Sequence, residues 1–222
     1  MKSTLSFKQA LIFPAEVSTE TLRGLRRGLT LLVLLTALIL LVGCAAGRGA
    51  AALQPLDLGA ATSPLSATAV QNPPIAVPAA SAASLLNETA VIWRVGDTGQ
   101  PQAYTTYQWV APPARLVTQR LVDRLSLQGA VLQQNAMGDL PQVRLNLQRF
   151  EQTFVPDGSS SQGQMTLQVI LIIGAKVVDQ KLLDLKVPAR TPDATGGAQA
   201  LREATDQAVE QVAQWLSSQL KR

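Results

Sequence analysis

The sequence contains no histidine and a single cysteine, Cys44, and only 4% of its 222 residues are aromatic. Without histidine, Ser-His and Cys-His nucleophile systems have no base, and most transition-metal sites lose a usual ligand. One cysteine cannot close an internal disulfide, and its use as a nucleophile would need that missing base. The acidic residues are scattered without a suggestive pair. The glycines form neither a Gly-x-x-x-x-Gly-Lys loop nor a Gly-x-Gly-x-x-Gly following a strand. Gly196-Gly197 precede a helical pattern, where one pair reads as a flexible lead-in rather than a phosphate cradle. No basic stripe interleaved with aromatics is present, so the nucleic-acid footprint is missing as well. The expectation is a protein that is no enzyme and takes neither metal nor cofactor.

What the chain does have is a long apolar run near its start. A polar segment ends in Arg23, Arg26 and Arg27, and Leu29 to Val42 follows with two threonines as its only polar members. Gly43, Cys44, Ala45 and Ala46 come next. A basic region, an apolar stretch of about 7–15 residues and a small-residue site describe an export signal. A spanning helix wants about 20 apolar residues. A span with a ragged end is the competing reading, because no charge falls between Arg27 and Arg48. The order Leu41-Val42-Gly43-Cys44 tips the balance, since it resembles the bacterial lipobox, in which the cysteine is acylated and the chain is cut before it. The expected organisation is therefore a signal peptide over 1–43, a lipidated tether over 44–55 and a domain over 56–222. Each buried acyl methylene contributes about 0.8 kcal/mol, so two or more chains anchor stably. The part from Cys44 onward holds 14 basic against 13 acidic residues, so the high isoelectric point belongs mostly to the segment removed.

Beyond the tether, Leu56 to Leu58 reads as a short strand, and Ile75 to Val77 as another inside a Pro- and Ala-rich stretch. Ala90 to Val95 and Tyr104 to Val110 are rich in β-formers, with Asp97-Thr98-Gly99 as a turn between them. Simple alternation puts Tyr107 and Trp109 on one face. Pro112-Pro113 open a helix over 114–128, in which Val117, Leu121 and Leu125 recur every four residues. On that pattern Leu121 is core and Arg120 is a dispensable outward residue. Ala130 to Gln133 reads as a short strand. Val143, Leu145 and Leu147 alternate with Arg144, Asn146 and Gln148 as a half-buried strand. Met165 to Ile173 becomes apolar on both faces, Val178 to Gln180 reads as a turn, and Leu183, Leu185 and Val187 alternate on a returning strand. A last helix over 198–220 carries the stripe Leu201, Ala204, Ala208, Val212, Trp215 and Leu216. The sum is an α/β domain: a layered, mixed, largely antiparallel sheet with two principal helices on the same face.

The string YTTYQWVAPPARLVTQRLVDRL at Tyr104 to Leu125 resembles the ABC-type transport auxiliary lipoproteins, which include the paraquat-inducible-type auxiliary lipoproteins. In that pattern an aromatic strand ending in Trp and small-Pro-Pro leads into a Leu-rich helix. LNLQRFEQTF at 145–154, the helix ending near Trp215 and the lipobox are similar too. The resemblance implies a lipoprotein on the outer membrane, facing the periplasm, that serves an inner-membrane ABC transporter. Its other implied partner is a mammalian-cell-entry (MCE) type substrate-binding protein, with lipids or similar hydrophobic molecules as cargo. It also implies a three-layer α/β fold similar to the N-terminal domain of the TolB family, and it admits self-association. Cys44 is the lipidation site on this reading. Tyr107 and Trp109 are partner-binding candidates, against the plainer reading that they pack under the helix. Two other classes stay open: a lipid-binding shuttle with a cavity between sheet and helices, and a purely structural envelope lipoprotein.

Overall fold

The computed structural model describes residues 30–32, 52–60, 72–97, 99–133 and 140–221. The chain divides into two compact units, Met1–Ala51 and Ala52–Arg222. Of the first unit only residues 30–32 are described, and they are helical. Cys44 and most of the apolar run before it lie outside the described residues.

Three strands of 13 residues each dominate the second unit: β7 (Gln142–Phe154), β8 (Ser161–Ile173) and β9 (Lys176–Pro188). They run antiparallel in the order given. Ahead of them come β1 (Gln54–Leu56), β2 (Ile75–Ala76), β3 (Ser81–Ala82), β4 (Ala90–Val95), β5 (Gln102–Trp109) and β6 (Val131–Leu132). The free edge of β7 is shared lengthwise by three of these. Gln142 pairs with β2, Asn146 and Leu147 with β3, and Gln152 to Phe154 with β4, all in parallel. Beyond β4 the sheet continues through antiparallel β5 to parallel β1. β9 is the opposite edge, and its Lys176, Lys181 and Lys186 are residues of the kind that discourage strand addition.

Helices α1 (Pro113–Ser126) and α2 (Ala194–Gln219) pack on one face of this sheet and against each other. Val117, Leu121 and Leu125 of α1 interleave with Leu201, Ala204, Ala208, Val212 and Leu216 of α2, and with Val143, Leu145, Leu147 and Phe150 of β7. All of these side chains are buried. The arrangement is the α/β domain expected from the sequence, a layered mixed sheet with two principal helices.

Several boundaries differ from the sequence reading for local reasons. The β8–β9 turn falls at Gly174 and Ala175, where Gly174 has φ +62°, and not at Val178 to Gln180. Glycine has no Cβ to resist that left-handed conformation. α2 begins at Ala194, because the Asp193 carboxylate accepts a hydrogen bond from the Gly196 N–H at 2.7 Å and caps the helix. Gly196 and Gly197 are therefore inside the first turn, where a Cβ on Gly197 would collide with the Gln152 amide. Close packing of helix on sheet requires that glycine, not flexibility. β1 lies two residues earlier than Leu56 to Leu58, because Gln54 to Leu56 pair with Tyr107 to Trp109.

Arg120 overturns the expectation of an outward residue. It is 7% exposed, faces Asp206 of α2 at 3.3 Å, and donates to the carbonyls of Leu58 at 2.8 Å and Gly59 at 2.5 Å. Arg202 of α2 donates to the next carbonyl, Ala60. Two arginines, one per helix, thus hold the segment that follows β1. Arg124 of α1 adds two hydrogen bonds to Glu210 of α2, which hold the Glu210 carboxyl below the ordinary carboxylate range. Truncating a buried ion pair on one side costs about 3–5 kcal/mol, because the remaining charge is left uncompensated. Leu121→Ala at a core position costs about 2–5 kcal/mol. Denaturant unfolding should therefore show Arg120→Ala destabilising the domain about as much as Leu121→Ala. A near-neutral Arg120→Ala would mean that the clamp carries no stability.

Candidate functional site

β7 carries a register shift between Leu147 and Arg149. An extra residue in one strand exchanges the faces of everything beyond it. Val143, Leu145 and Leu147 face the helices before the shift, and Phe150, Gln152 and Phe154 face them after it. The charged Arg149 and Glu151 turn to the other face. There Glu151, though buried, lies between Arg94 at 2.7 Å and Arg149 at 3.4 Å.

On the helix side, the shift assembles an aromatic group at the end of the sheet where β4 and β7 finish. Trp93 meets Phe154 edge-on at 5.8 Å between ring centres and Tyr104 at 6.1 Å. Tyr104 meets Tyr107 edge-on at 6.1 Å. Such tilted and edge-to-face pairs suit the ring quadrupoles. Tyr104 and Tyr107 are three apart and meet because β5 is irregular there. Ala103 to Gln108 run opposite only Ala90 to Ile92. All four rings are half-buried.

Gln152, 1% exposed, ties this group to α2. Its Nε2 donates to Ser161 Oγ at 2.7 Å and to the Asp193 carbonyl at 3.0 Å, and its Oε1 accepts from the Tyr104 hydroxyl at 2.8 Å. Burial, and then the nearby charge of Asp193, push the Tyr104 phenol up to about 12 from its ordinary value of 10.

The sequence candidates fall in different places. Trp109 is 1% exposed and packs on Phe150 at 5.5 Å, inside the core. Tyr107 belongs to the half-buried group at the sheet end. Trp215 is half-buried on α2, and its indole N–H donates to Asp179 of β9 at 3.0 Å. Cys44 lies outside the described residues. Trp93, Tyr104, Phe154 and Gln152 were not singled out as a site by sequence. Strict alternation separates them, and only the two irregular registers bring them together.

Two hollows open to solvent near these elements. One, of about 440 Å³, is bordered by Asp97, Phe154, Val155, Ser161 and Pro188 at the sheet end. The other, of about 790 Å³, runs along α2 and is bordered by Arg190, Arg202, Glu203, Asp206 and Glu210. Both walls mix charge with apolar surface, and both lie outside the packed space between sheet and helices. Among the described residues no group of three or more acidic or thiol side chains is placed to hold a metal ion.

Solved structures share this fold. Protein XCC0632 from Xanthomonas campestris aligns with a TM-score of 0.66 at 18% identity, over 75% of this chain and 97% of that one. A second crystal structure, of an uncharacterized protein, aligns at 0.57 with 13% identity, over 73% and 97%. No curated protein matches the chain. Residues 56–213 match the family described as ABC-type transport auxiliary lipoprotein component. The chain belongs to that family. It is a family of auxiliary transport lipoproteins rather than a known enzyme family, and it implies association with an ABC transporter and a membrane-anchored place in the envelope. Among the described residues no helix is long and apolar enough to cross a membrane.

The shifted phenol gives a pH signature. A folded-state value near 12 against an ordinary 10 means the unfolded chain ionises first. The resulting stability is complete below pH 10 and is lost as pH rises towards 12. Denaturant midpoints should fall over that window in the unsubstituted protein and fall less in Tyr104→Phe. Identical alkaline slopes would show that the phenol is not held by this site.

Proposed function

We propose that this protein is an envelope lipoprotein acylated on Cys44 after removal of residues 1–43, and anchored in the outer membrane facing the periplasm. It serves an inner-membrane ABC transporter and an MCE-type periplasmic protein that move lipids or similar hydrophobic molecules between membranes. It acts by docking and assembly, not by chemistry and not by carrying cargo itself. Family membership supports the transport role. The observation that carries the docking reading is the filled space between sheet and helices, where Leu121, Leu147, Met165, Leu167, Leu201 and Leu216 are all buried. A shuttle needs a dry cavity of about 300 Å³ or more, and these side chains occupy the volume where one would form.

The docking surface is the uncovered side of the β8–β9 hairpin. Leu182 and Val177 are each 63% exposed there, and Ile170 and Ile172 lie beside them on the same face. An apolar sheet face of this kind suits the centre of a protein interface. With charge almost balanced from Cys44 onward, association should depend weakly on salt.

Three measurements test this. Cys44→Ala should abolish labelling by a fatty-acid analogue and leave the precursor uncut; continued labelling sinks the anchor. Affinity capture of the acylated protein from membranes should bring down an MCE-type protein and ABC subunits. Leu182→Asp, on an exposed face, should lose them while leaving the unfolding midpoint within about 0.5 kcal/mol of the parent. Capture that is indifferent to Leu182→Asp would place the partner elsewhere. Lipid extraction from vesicles by a protein that ignores both partners would favour the shuttle.

A further inference from the structure

Gln54, the first residue of β1, is the register partner of Tyr107. Any chain arriving from Cys44 therefore joins the sheet beside the aromatic group of Trp93, Tyr104, Tyr107 and Phe154. Nine residues, ten Cα-to-Cα steps, separate Cys44 from Gln54. Fully extended, they reach at most about 35 Å. A lipid on Cys44 would therefore join the domain at this end of the sheet.

The surface at this end suits such a neighbour. α1 starts after β5 and packs towards β6 and the Ser84–Asn87 turn, so among the described residues α1 does not cover the aromatic end of β4 and β5. The rings stay half-buried, and exposed aliphatic residues lie next to them along the chain and across the sheet. Leu53 is 44% exposed, Val95 42% and Val155 39%. Val95 pairs with Phe154, and Leu53 immediately precedes the partner of Tyr107. Tryptophan and tyrosine, with an apolar body and a polar edge, favour the headgroup level of a bilayer. The Tyr104 hydroxyl is already satisfied by Gln152, so its ring can meet an apolar phase without stranding a polar group.

We infer that this aromatic end is a membrane-contact surface: the lipid-anchored domain rests Trp93, Tyr107 and Phe154 in the headgroup layer, with the β8–β9 hairpin tip directed away from it. The inference rests on the lipid-anchor reading proposed above. It assigns Tyr107 to a lipid surface rather than to a protein partner. It also gives the anchor a second function, because tether and aromatics together would set the orientation in which the hairpin face meets its partners.

The test uses the full-length acylated protein in vesicles of phosphatidylethanolamine and phosphatidylglycerol with brominated acyl chains. Trp109 is enclosed in the core, and Trp215 bonds Asp179 near the opposite end of the sheet, so three tryptophans report three positions. Bromine should quench the emission that Trp93→Phe removes, while Trp215→Phe should leave the quenched component unchanged. The double variant Val95→Glu/Val155→Glu should lose the quenching without losing the near-ultraviolet dichroism of a packed core. Unquenched Trp93, or quenching that follows Trp215, overturns the inference. So does a Trp93 emission that ignores bromolipid but shifts on adding an MCE-type protein. The mass of the same sample separates the two readings. An acyl adduct with unquenched Trp93 defeats this inference alone, whereas a chain without the adduct defeats the anchor and the inference together.

Discussion

Strand β7 has to satisfy both of its edges at once, and most of the domain follows from how it does so. One edge is paired along its whole length with β8. The other is divided among β2, β3 and β4, which come from a Pro- and Ala-rich segment that forms only short strands. Residues far apart in the chain are thereby fixed against a single long template. Unpaired amides along a buried strand would each cost a hydrogen bond's worth of desolvation. The short strands, too small to be stable alone, are held by the long one.

The irregular step after Leu147 is the second constraint. It lets one strand present three aliphatic residues and then Phe150, Gln152 and Phe154 to the same helices, although an odd number of positions separates the two sets. Gln152 then occupies the space that Gly197 leaves, satisfies Ser161, Asp193 and Tyr104 together, and joins α2 to the aromatic end. At the other side of the helical layer, Arg120 and Arg202 fasten the backbone after β1. If the domain hangs from a lipid on Cys44, as proposed, its first strand has to be fixed to the core. Pairing with β5 and the two arginines supply the attachment.

Much of this was legible in the residues, and the failures have identifiable causes. The stripe of Val117, Leu121 and Leu125 and the alternation of Val143, Leu145 and Leu147 gave the correct faces, because each is a plain expression of helical or strand periodicity. Arg120 departs from the expectation because a charged residue beside a stripe is usually solvated, and nothing local shows that Asp206, 86 positions on, lies opposite it. The hairpin turn is hidden in the sequence because Ile172, Ile173, Val177 and Val178 run apolar on both sides of Gly174. The aromatic group was missed because its members are consecutive on no regular face. Of the family pattern, the Trp and the two prolines have structural places: Trp109 fills the core, Pro112 precedes α1, and Pro113 occupies the first turn of the helix.

The central claim is that a solid, lipid-anchored body promotes transport without holding the cargo. Native mass spectrometry of the acylated protein released from membranes tests it most directly. The account predicts a mass equal to the chain from Cys44 to Arg222 plus its covalent acyl groups, with no lipid bound at stoichiometric level. A species carrying one further lipid per chain, retained through gentle activation, would contradict it.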